Sequence, residues 1–404
     1  MLHRRLAARG HLIDTGLMSR FLAAVLGGGG KYEIVRFDVG KTKRDFSVVE
    51  LDVRAASNGA LDAIVENLIT LGCHLVEERE VVLEPAPKDG VAPDHFHSTT
   101  NHKTRVRSAG RWIDVTRQRM DGMIVVRRGR ATCTLMRDLK RGDPVVCGVE
   151  GVEVFPPFEE HATESFSFMK SETSSERAVE VKARDVARMV RAVKKDGLRV
   201  VVVPGPVVVH TGAGAALARL IKRGWFDAVL SGNALAVHDV ERALFGTSLG
   251  VDLGSGIPAR EGHMNHLRAI NAIRAAGSLQ RAVARGVLKS GVMYECVKRK
   301  VPFVLAGSIR DDGPLPDTRM DLLEAQAEYA RLLEGAGLVI VLSSMLHGIG
   351  VGNMLPSAVK LVCVDIHQSV VTKLLDRGSG HALGVVTDVS AFVHRLEREL
   401  KGSA

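Results

Sequence analysis

Polar residues gather where apolar runs of this chain stop. VPFVLAGSIRDDGPLPD (301–317) passes from a strand-like run into Ser308, Arg310, Asp311 and Asp312. LVIVLSSMLHGIGVGN (338–353) does the same at Ser343, Ser344, Met345, Leu346 and His347, and LVCVDIH (361–367) at Asp365. Asn233 and Ala234 follow FDAVLSG, His238 and Asp239 come one helical turn later, and Thr387, Asp388 and Val389 follow the last apolar run. A packed core has no need of that density, whereas parallel strands present side chains at their carboxyl ends to a nucleotide. A carboxylate placed like Asp365 suits the hydroxyls of an adenine ribose; its structural alternative is to cap the segment 369–376. Asp311 or Asp312 could hold a substrate amine or a cofactor hydroxyl, or pair with Arg310.

Two glycine-rich stretches could approach a phosphate. MLHGIGVGN (345–353) carries Gly348, Gly350 and Gly352 and reads as a loop between strands, without the GxGxxG order of a standard fingerprint. HTGAGA (210–215) reads as a turn from a strand into a helix, where backbone N–H groups meet a phosphate or glycine simply allows close packing. HFHSTTNHKTRVR (95–107) reads as a binding loop for a small zwitterion, with Lys103 or Arg105 pairing a carboxylate and Asn101 orienting it, or as an exposed polar hairpin. His95, His97 and His102 lack an acidic or cysteine partner at metal-ligand spacing, so no metal is expected.

The elements that must position these groups follow from periodicity. Residues 1–30 read as an extension with a glycine hinge at Gly27–Gly30, its arginines and lack of acids being somewhat like a transit peptide. Residues 31–80 alternate as a small α+β module of ferredoxin-like or regulatory type, with helical spacing at Leu61, Ile64, Leu68 and Leu71. Residues 81–175 form short runs between Pro, Gly and charges, a β-rich substrate-side domain that ends in a polar linker near 172–179. Residues 176–404 alternate helices with continuous Val/Ile/Leu strands, including a helix 317–334 beside Pro316. That pattern means a parallel sheet covered on both faces. The fold class is α/β: a C-terminal Rossmann-like sheet plus N-terminal α+β and β-rich modules.

Composition narrows the partners. At 404 residues, 46% hydrophobic and 25% charged, the chain has material for several globular domains. A net charge of +9 raises nucleic acid, but the basic residues are scattered and aromatics are 4%, so neither a basic stripe nor a stacking platform is present. The five cysteines show no CxxC and lie in apolar runs, which reads as a reduced, cytoplasmic protein. No apolar run approaches the ~20 residues of a membrane span. The partner left is a small anionic or zwitterionic molecule.

Several blocks together resemble one family: FHSTTNHKTRVRSAGRWIDV, SGNALAVHDVERALFGTSLGVDL, GSLQRAVARGVLKSGVMYE, VPFVLAGSIRDDGPLPD, SSMLHGIGVGNMLPS and VDIHQSVVTKLLDRGS. They are similar to the archaeal-type ornithine cyclodeaminases with a LOR/SDH domain, related to the C-terminal part of cyanobacterial bifunctional arginine-degrading enzymes. The resemblance covers roughly 35–400 and leaves out 1–30. It implies NAD held in the C-terminal domain at Asn233, Ala234, Asp312, Ser344, Met345, Leu346, His347, Asp365, Asp388 and Val389. It also implies conversion of L-ornithine to L-proline and ammonia by transient hydride transfer without net redox change, and no arginine dihydrolysis. Relatives tend to carry threonine where this chain has Ser343-Ser344. For such chemistry Asp311 or His347 is the proton acceptor, and Lys103 or Arg105 the carboxylate clamp. A homo-oligomer is expected. The alternatives are an NAD(P)-dependent amino-acid oxidoreductase of lysine/saccharopine type, or a regulatory protein sensing an amino acid and NAD.

Overall fold

The computed structural model describes residues 2–13, 15–42, 45–77, 79–155, 175–249, 251–252, 264–311, 313–375 and 382–401. It divides into two compact units, Met1–Ser171 with Leu355–Ala358, and Glu172–Met354 with Val359–Ala404. Asp312 and the stretch 156–174, which takes in the start of the polar linker read near 172–179, lie outside the described residues, and the rest of that linker is corrected to helix, which runs from Ser175.

The first unit begins at the N-terminus itself. LHRRLAARG alternates, with Leu6 and Ala8 buried and Arg5 and Arg9 exposed, and it forms β1 (Leu2–Gly10). Then come α1 (Leu17–Gly27), β2 (Lys31–Asp38), β3 (Ser47–Ala55), α2 (Asn58–Thr70) and β4 (His74–Leu75). The sheet order is β2-β3-β1-β4, every pair antiparallel. This is the βαββαβ plan of a ferredoxin-like module, with β1 inside the sheet. The expectation of an N-terminal extension is therefore corrected: residues 2–27 supply the first strand and helix of the module. The hinge at Gly27–Gly30 is corrected too. A Cβ at Gly28 would lie 2.4 Å from Ile64 Cγ1, and one at Gly30 would lie 2.7 Å from Ile64 Cδ1, so these glycines let the end of α1 close on α2.

The β-rich region contains β5 (Val82–Pro85), β6 (Lys103–Ser108), β7 (Arg111–Thr116), β8 (Met123–Arg127), β9 (Arg130–Thr134), β10 (Pro144–Cys147) and β11 (Val152–Phe155). They form one sheet in the order β11-β6-β7-β9-β8-β10-β5. Ala109-Gly110 and Arg128-Gly129 join two of the hairpins, all four residues at positive φ, as a two-residue turn that follows strand twist requires.

The second unit runs α3 (Ser175–Lys195), β12 (Arg199–Pro204), α4 (Val207–His210), α5 (Gly214–Lys222), β13 (Ala228–Gly232), α6 (Asn233–Phe245), β14 (Thr247–Ser248), β15 (Val251–Asp252), α7 (Asn265–Ala276), α8 (Leu279–Ala284) and α9 (Val292–Arg299). It continues with β16 (Phe303–Ala306), β17 (Thr318–Arg319), α10 (Leu322–Leu333), β18 (Ala336–Leu342), α11 (Met345–Met354), β19 (Lys360–Asp365), α12 (Gln368–Leu375), β20 (Ala382–Val386) and α13 (Val389–Lys401). Seven strands form a parallel sheet in the order β17-β16-β13-β12-β18-β19-β20. Apart from the short edge strand β17, that is the 3-2-1-4-5-6 order of dinucleotide-binding sheets. Val200 to Val203 are each 0% exposed. Successive strand residues point to opposite faces, so both faces of the sheet are covered.

Three local readings change. MLHGIGVGN is not a loop but α11, and its Gly348 is a packing position: a Cβ there would lie 2.8 Å from Val341 Cγ1 and 3.1 Å from Leu374 Cδ2. HTGAGA does not leave a strand directly, because α4 intervenes; Gly214 is where Arg242 Nη1 would lie 2.9 Å from a Cβ. The helix expected from 317 begins at Leu322, since Thr318–Arg319 first pairs with β16 and Asp321 then caps α10 by accepting from Leu323 and Glu324 N–H. Among the described residues no helix is long and apolar enough to cross a membrane.

Candidate active site

In an open parallel sheet, ligands bind beyond the carboxyl ends of the strands where the order reverses. Here that point lies between β12 and β18. Gly205, just past β12, donates its N–H to the Leu342 carbonyl at 2.8 Å. A Cβ on Gly205 would lie 2.0 Å from the Ser343 carbonyl oxygen, so only glycine lets the two strand ends close up. Ser343 takes φ 47°, a left-handed conformation uncommon for a residue with a side chain, and turns the chain from β18 into α11. Ser344 is buried and its carbonyl accepts the Gly348 N–H, so α11 starts at the break. The N–H groups of the first turn, Met345 to His347, have no partner inside the helix and carry the positive end of its dipole. Met345 and Leu346 expose their side chains there. That arrangement can hold a phosphate.

The next strands add acids. Asp365 ends β19, is buried, and accepts the His367 N–H through Oδ1 at 2.8 Å. This local turn leads toward α12 without capping it in the manner expected for 369–376. Asp388 caps α13, its Oδ1 accepting the Ala391 N–H at 2.9 Å, and Val389 packs in the core. In each acid it is Oδ1 that makes the local contact, which orients the carboxylate at the strand end.

A second group forms at the ends of β13 and β16. Asn233 opens α6 and is buried, with Ala234 exposed beside it. The Asn233 Nδ2 donates to Asp311 Oδ1 at 3.0 Å, and its Oδ1 accepts from Leu315 N–H and Thr318 Oγ1 at 3.0 and 2.9 Å. Asp311 Oδ2 accepts the Ser308 N–H at 2.7 Å. Both carboxylate oxygens of Asp311 are thus engaged in holding the 308–318 loop, and Arg310 is not its partner in these bonds. His347 lies against this group. Its Nδ1 is 3.3 Å from the Tyr329 hydroxyl, which donates to the Ser231 carbonyl at 2.6 Å. Burial pushes the imidazole below its ordinary pKa, and the charge of Asp311 opposes that. The structure therefore brings Asn233, Asp311 and His347 together, with Ser344 to Leu346 on the same helix start.

His238 and Asp239 do other work. Asp239 is fully buried and accepts from Val292 and Met293 N–H at 2.9 and 2.8 Å, capping α9, and burial pushes its carboxyl up to about 6 against those donors. His238 Nδ1 meets Glu241 Oε2 at 3.1 Å. In the first unit, Lys103 pairs with Asp114 at 3.3 Å in an exposed contact. Arg105 pairs with Glu153 and lies over Trp112 and Phe155, 4.6 and 5.2 Å from the ring centroids. Asn101 is buried and its carbonyl accepts the Ser357 N–H. His97 Nδ1 faces the Gly148 carbonyl at 3.2 Å. Residues 103–108 are strand β6, so the expected binding loop is confined to the residues before it.

Gly205, Gly232, Ser231 and Tyr329 were not legible as site residues. A tyrosine on an amphipathic helix reads as core, and only its hydroxyl contacts show otherwise.

Comparison with known proteins agrees with this fold. The model for the Rossmann fold of the arginine dihydrolase ArgZ-like C-terminal part matches residues 184–396, and that for its first region residues 103–183. The conserved region of the LOR/SDH bifunctional enzyme matches residues 3–102. The chain belongs to the ArgZ-like LOR/SDH family. This family member is 48% identical to the ornithine cyclodeaminase of Methanocaldococcus jannaschii over 99% of this chain and 97% of that protein. It is 48% identical to the bifunctional arginine dihydrolase/ornithine cyclodeaminase AgrE of Nostoc over 98% of this chain, and spans 58% of that relative's length. Among solved structures, apo ArgZ from cyanobacteria superposes with a TM-score of 0.86 at 43% identity, covering 99% of this chain and 58% of that one. The ternary complex of AgrE with ornithine and NAD+ superposes at 0.55 and 47% identity, covering 99% and 57%. The LOR/SDH match from residue 3 also corrects the expectation that the likeness starts near 35.

Proposed function

We propose that this chain is an NAD-dependent ornithine cyclodeaminase, converting L-ornithine to L-proline and ammonia. The observation that carries the reading is the break in strand order between β12 and β18, where the start of α11, Asp365 and the Asn233–Asp311–His347 group lie at carboxyl ends of one sheet. Near-full-length archaeal relatives bear that name, and a relative's structure holds ornithine and NAD+.

The residues fit a dinucleotide. The first-turn amides of α11 suit a diphosphate, and the buried Asp365, with Oδ1 on His367 N–H, suits vicinal hydroxyls. Asn233, Ala234, Ser344–His347, Asp388 and Val389 would hold the rest, together with Asp312. When bound, NAD+ supplies a hydride acceptor that later returns the hydride.

The chain's own part is proton handling. Burial favours the neutral imidazole of His347, which can accept a proton from the substrate's amine, and the nearby Asp311 charge favours the imidazolium that results. Asp311, held by Asn233 and Ser308, is in this reading the electrostatic partner of His347. Of the two residues expected to clamp a carboxylate, Lys103 makes an exposed pair with Asp114, whereas Arg105 is paired with Glu153 and stacked.

One incubation with ornithine and NAD+ tests the reading, with proline, ammonia and NADH measured together. Equal proline and ammonia with no accumulating NADH is the expected result. Accumulating NADH with lysine or saccharopine would make the chain an oxidoreductase. Thermal stabilisation by ornithine without ammonia would make it a sensor.

A further inference from the structure

Tyr329 lies on α10, 4% exposed, with its hydroxyl oxygen 2.6 Å from the Ser231 carbonyl oxygen. A carbonyl only accepts, so the single phenolic proton points there. Burial raises the phenol's pKa, and the group keeps that proton. The same oxygen faces His347 Nδ1 at 3.3 Å with lone pairs only. This contact is a hydrogen bond only when Nδ1 carries the hydrogen. A neutral imidazole protonated at Nδ1 has its lone pair at Nε2.

The position of Nε2 is also constrained. A Cβ on Gly232 would lie 2.7 Å from Nε2 and 3.3 Å from Cε1. Gly232 has φ −97° and ψ 168°, which any residue can adopt, so its backbone does not demand glycine. The imidazole does. Gly232 ends β13 and precedes Asn233, so the Nε2 edge sits at the strand ends where the ligand-holding residues begin. The groups facing the ring are Tyr329 from α10, Asp311 from the loop after β16, and the Ser231–Gly232 backbone.

We propose that Tyr329 is a positioning residue that fixes His347 as the Nδ1–H tautomer and so makes Nε2 the atom that takes up a proton. The inference deepens the reading of His347 as proton acceptor and rests on it for its catalytic consequence. In the transfer, an N–H bond of the substrate's ammonium breaks and an Nε2–H bond forms. The electron pair stays on the amine, and the imidazolium's charge is offset by Asp311. Tyr329 neither gains nor loses a proton, because its role is to accept the Nδ1–H bond throughout.

The test reads the tautomer directly. Protein labelled with ¹⁵N-histidine and free of cofactor is measured by NMR, with His347→Gln used to identify the two ring nitrogens. The expected result is a protonated Nδ1 and an unprotonated Nε2 in the neutral ring. A neutral His347 protonated at Nε2 overturns the proposal whatever the activity. Tyr329→Phe removes the acceptor, and the ring should move toward the Nε2–H form that free histidine prefers. NAD+ affinity should stay within about threefold while kcat falls roughly 10- to 100-fold, as when a base is held in the wrong tautomer. If Tyr329→Phe does not fold, the wild-type spectrum alone still decides. Should His347→Gln keep full turnover, the catalytic reading of His347 fails while the tautomer assignment stands or falls on the spectrum.

Discussion

At residue scale, His347 and Asp311 divide one task between them. Burial lowers the pKa of His347 and the Asp311 charge raises it. With burial the larger effect, the acidic limb of kcat/KM is expected below the ordinary imidazole value of about 6.5. Asp311→Asn removes the raising influence, so that limb should move to still lower pH. A pH profile of kcat/KM for both proteins checks this, and a limb displaced upward would show that Asp311 does not act on His347. Asp311 and His347 were legible because they end apolar runs. That Asp311 has both oxygens on Asn233 and Ser308 was not, since the bonds join residues 78 apart and 3 apart. A strand-end position says where a side chain is delivered, not which of its atoms remain free.

At the scale of elements, the decisive geometry is the closure of β12 on β18. Gly205 accommodates the Ser343 carbonyl, and Ser343 in turn sits in the left-handed region to start α11. Since the obstructing atom is backbone, Gly205→Ala cannot be absorbed by a rotamer change. It should cost on the order of 3 kcal/mol and weaken NAD+ binding at least tenfold, read by urea unfolding and by cofactor titration. A variant of wild-type stability and affinity would show that the strand ends can part freely. The glycines of MLHGIGVGN misled for a physical reason. A helix interior disfavours glycine, so three in nine residues read as a loop, yet Gly348 is there because Val341 and Leu374 approach the helix closely.

At the scale of the whole molecule, the last helix of the second unit is tied by charge to an earlier one. Glu397 on α13 takes both Nε and Nη2 of Arg219 on α5 at 2.7 Å, with Lys401 at 3.1 Å and Arg223 at 3.4 Å. The Arg219 hydrogen bonds, first among the causes, hold its carboxyl at about 2. A depressed acid stabilises fully above its unfolded value and loses that contribution as pH falls through the folded one, so the loss here spans roughly pH 4.5 to 2. Arg219 is partly exposed, which limits the effect to on the order of 1–2 kcal/mol. Urea unfolding at pH 6 and pH 3 should show a smaller pH dependence in Glu397→Gln than in the wild type, and equal slopes would remove the clamp from the account. The sequence by itself determined the parallel sheet and its strand ends, because buried strands need unbroken apolar runs and any polar residue at their ends stands out. It misread residues 2–30, where the short alternation of β1 is too weak to reveal a strand whose neighbours lie near residues 50 and 75. Only the tertiary structure decided that Tyr329 reaches His347 and Ser231, since these contacts join separate elements and depend on which way a buried hydroxyl can donate.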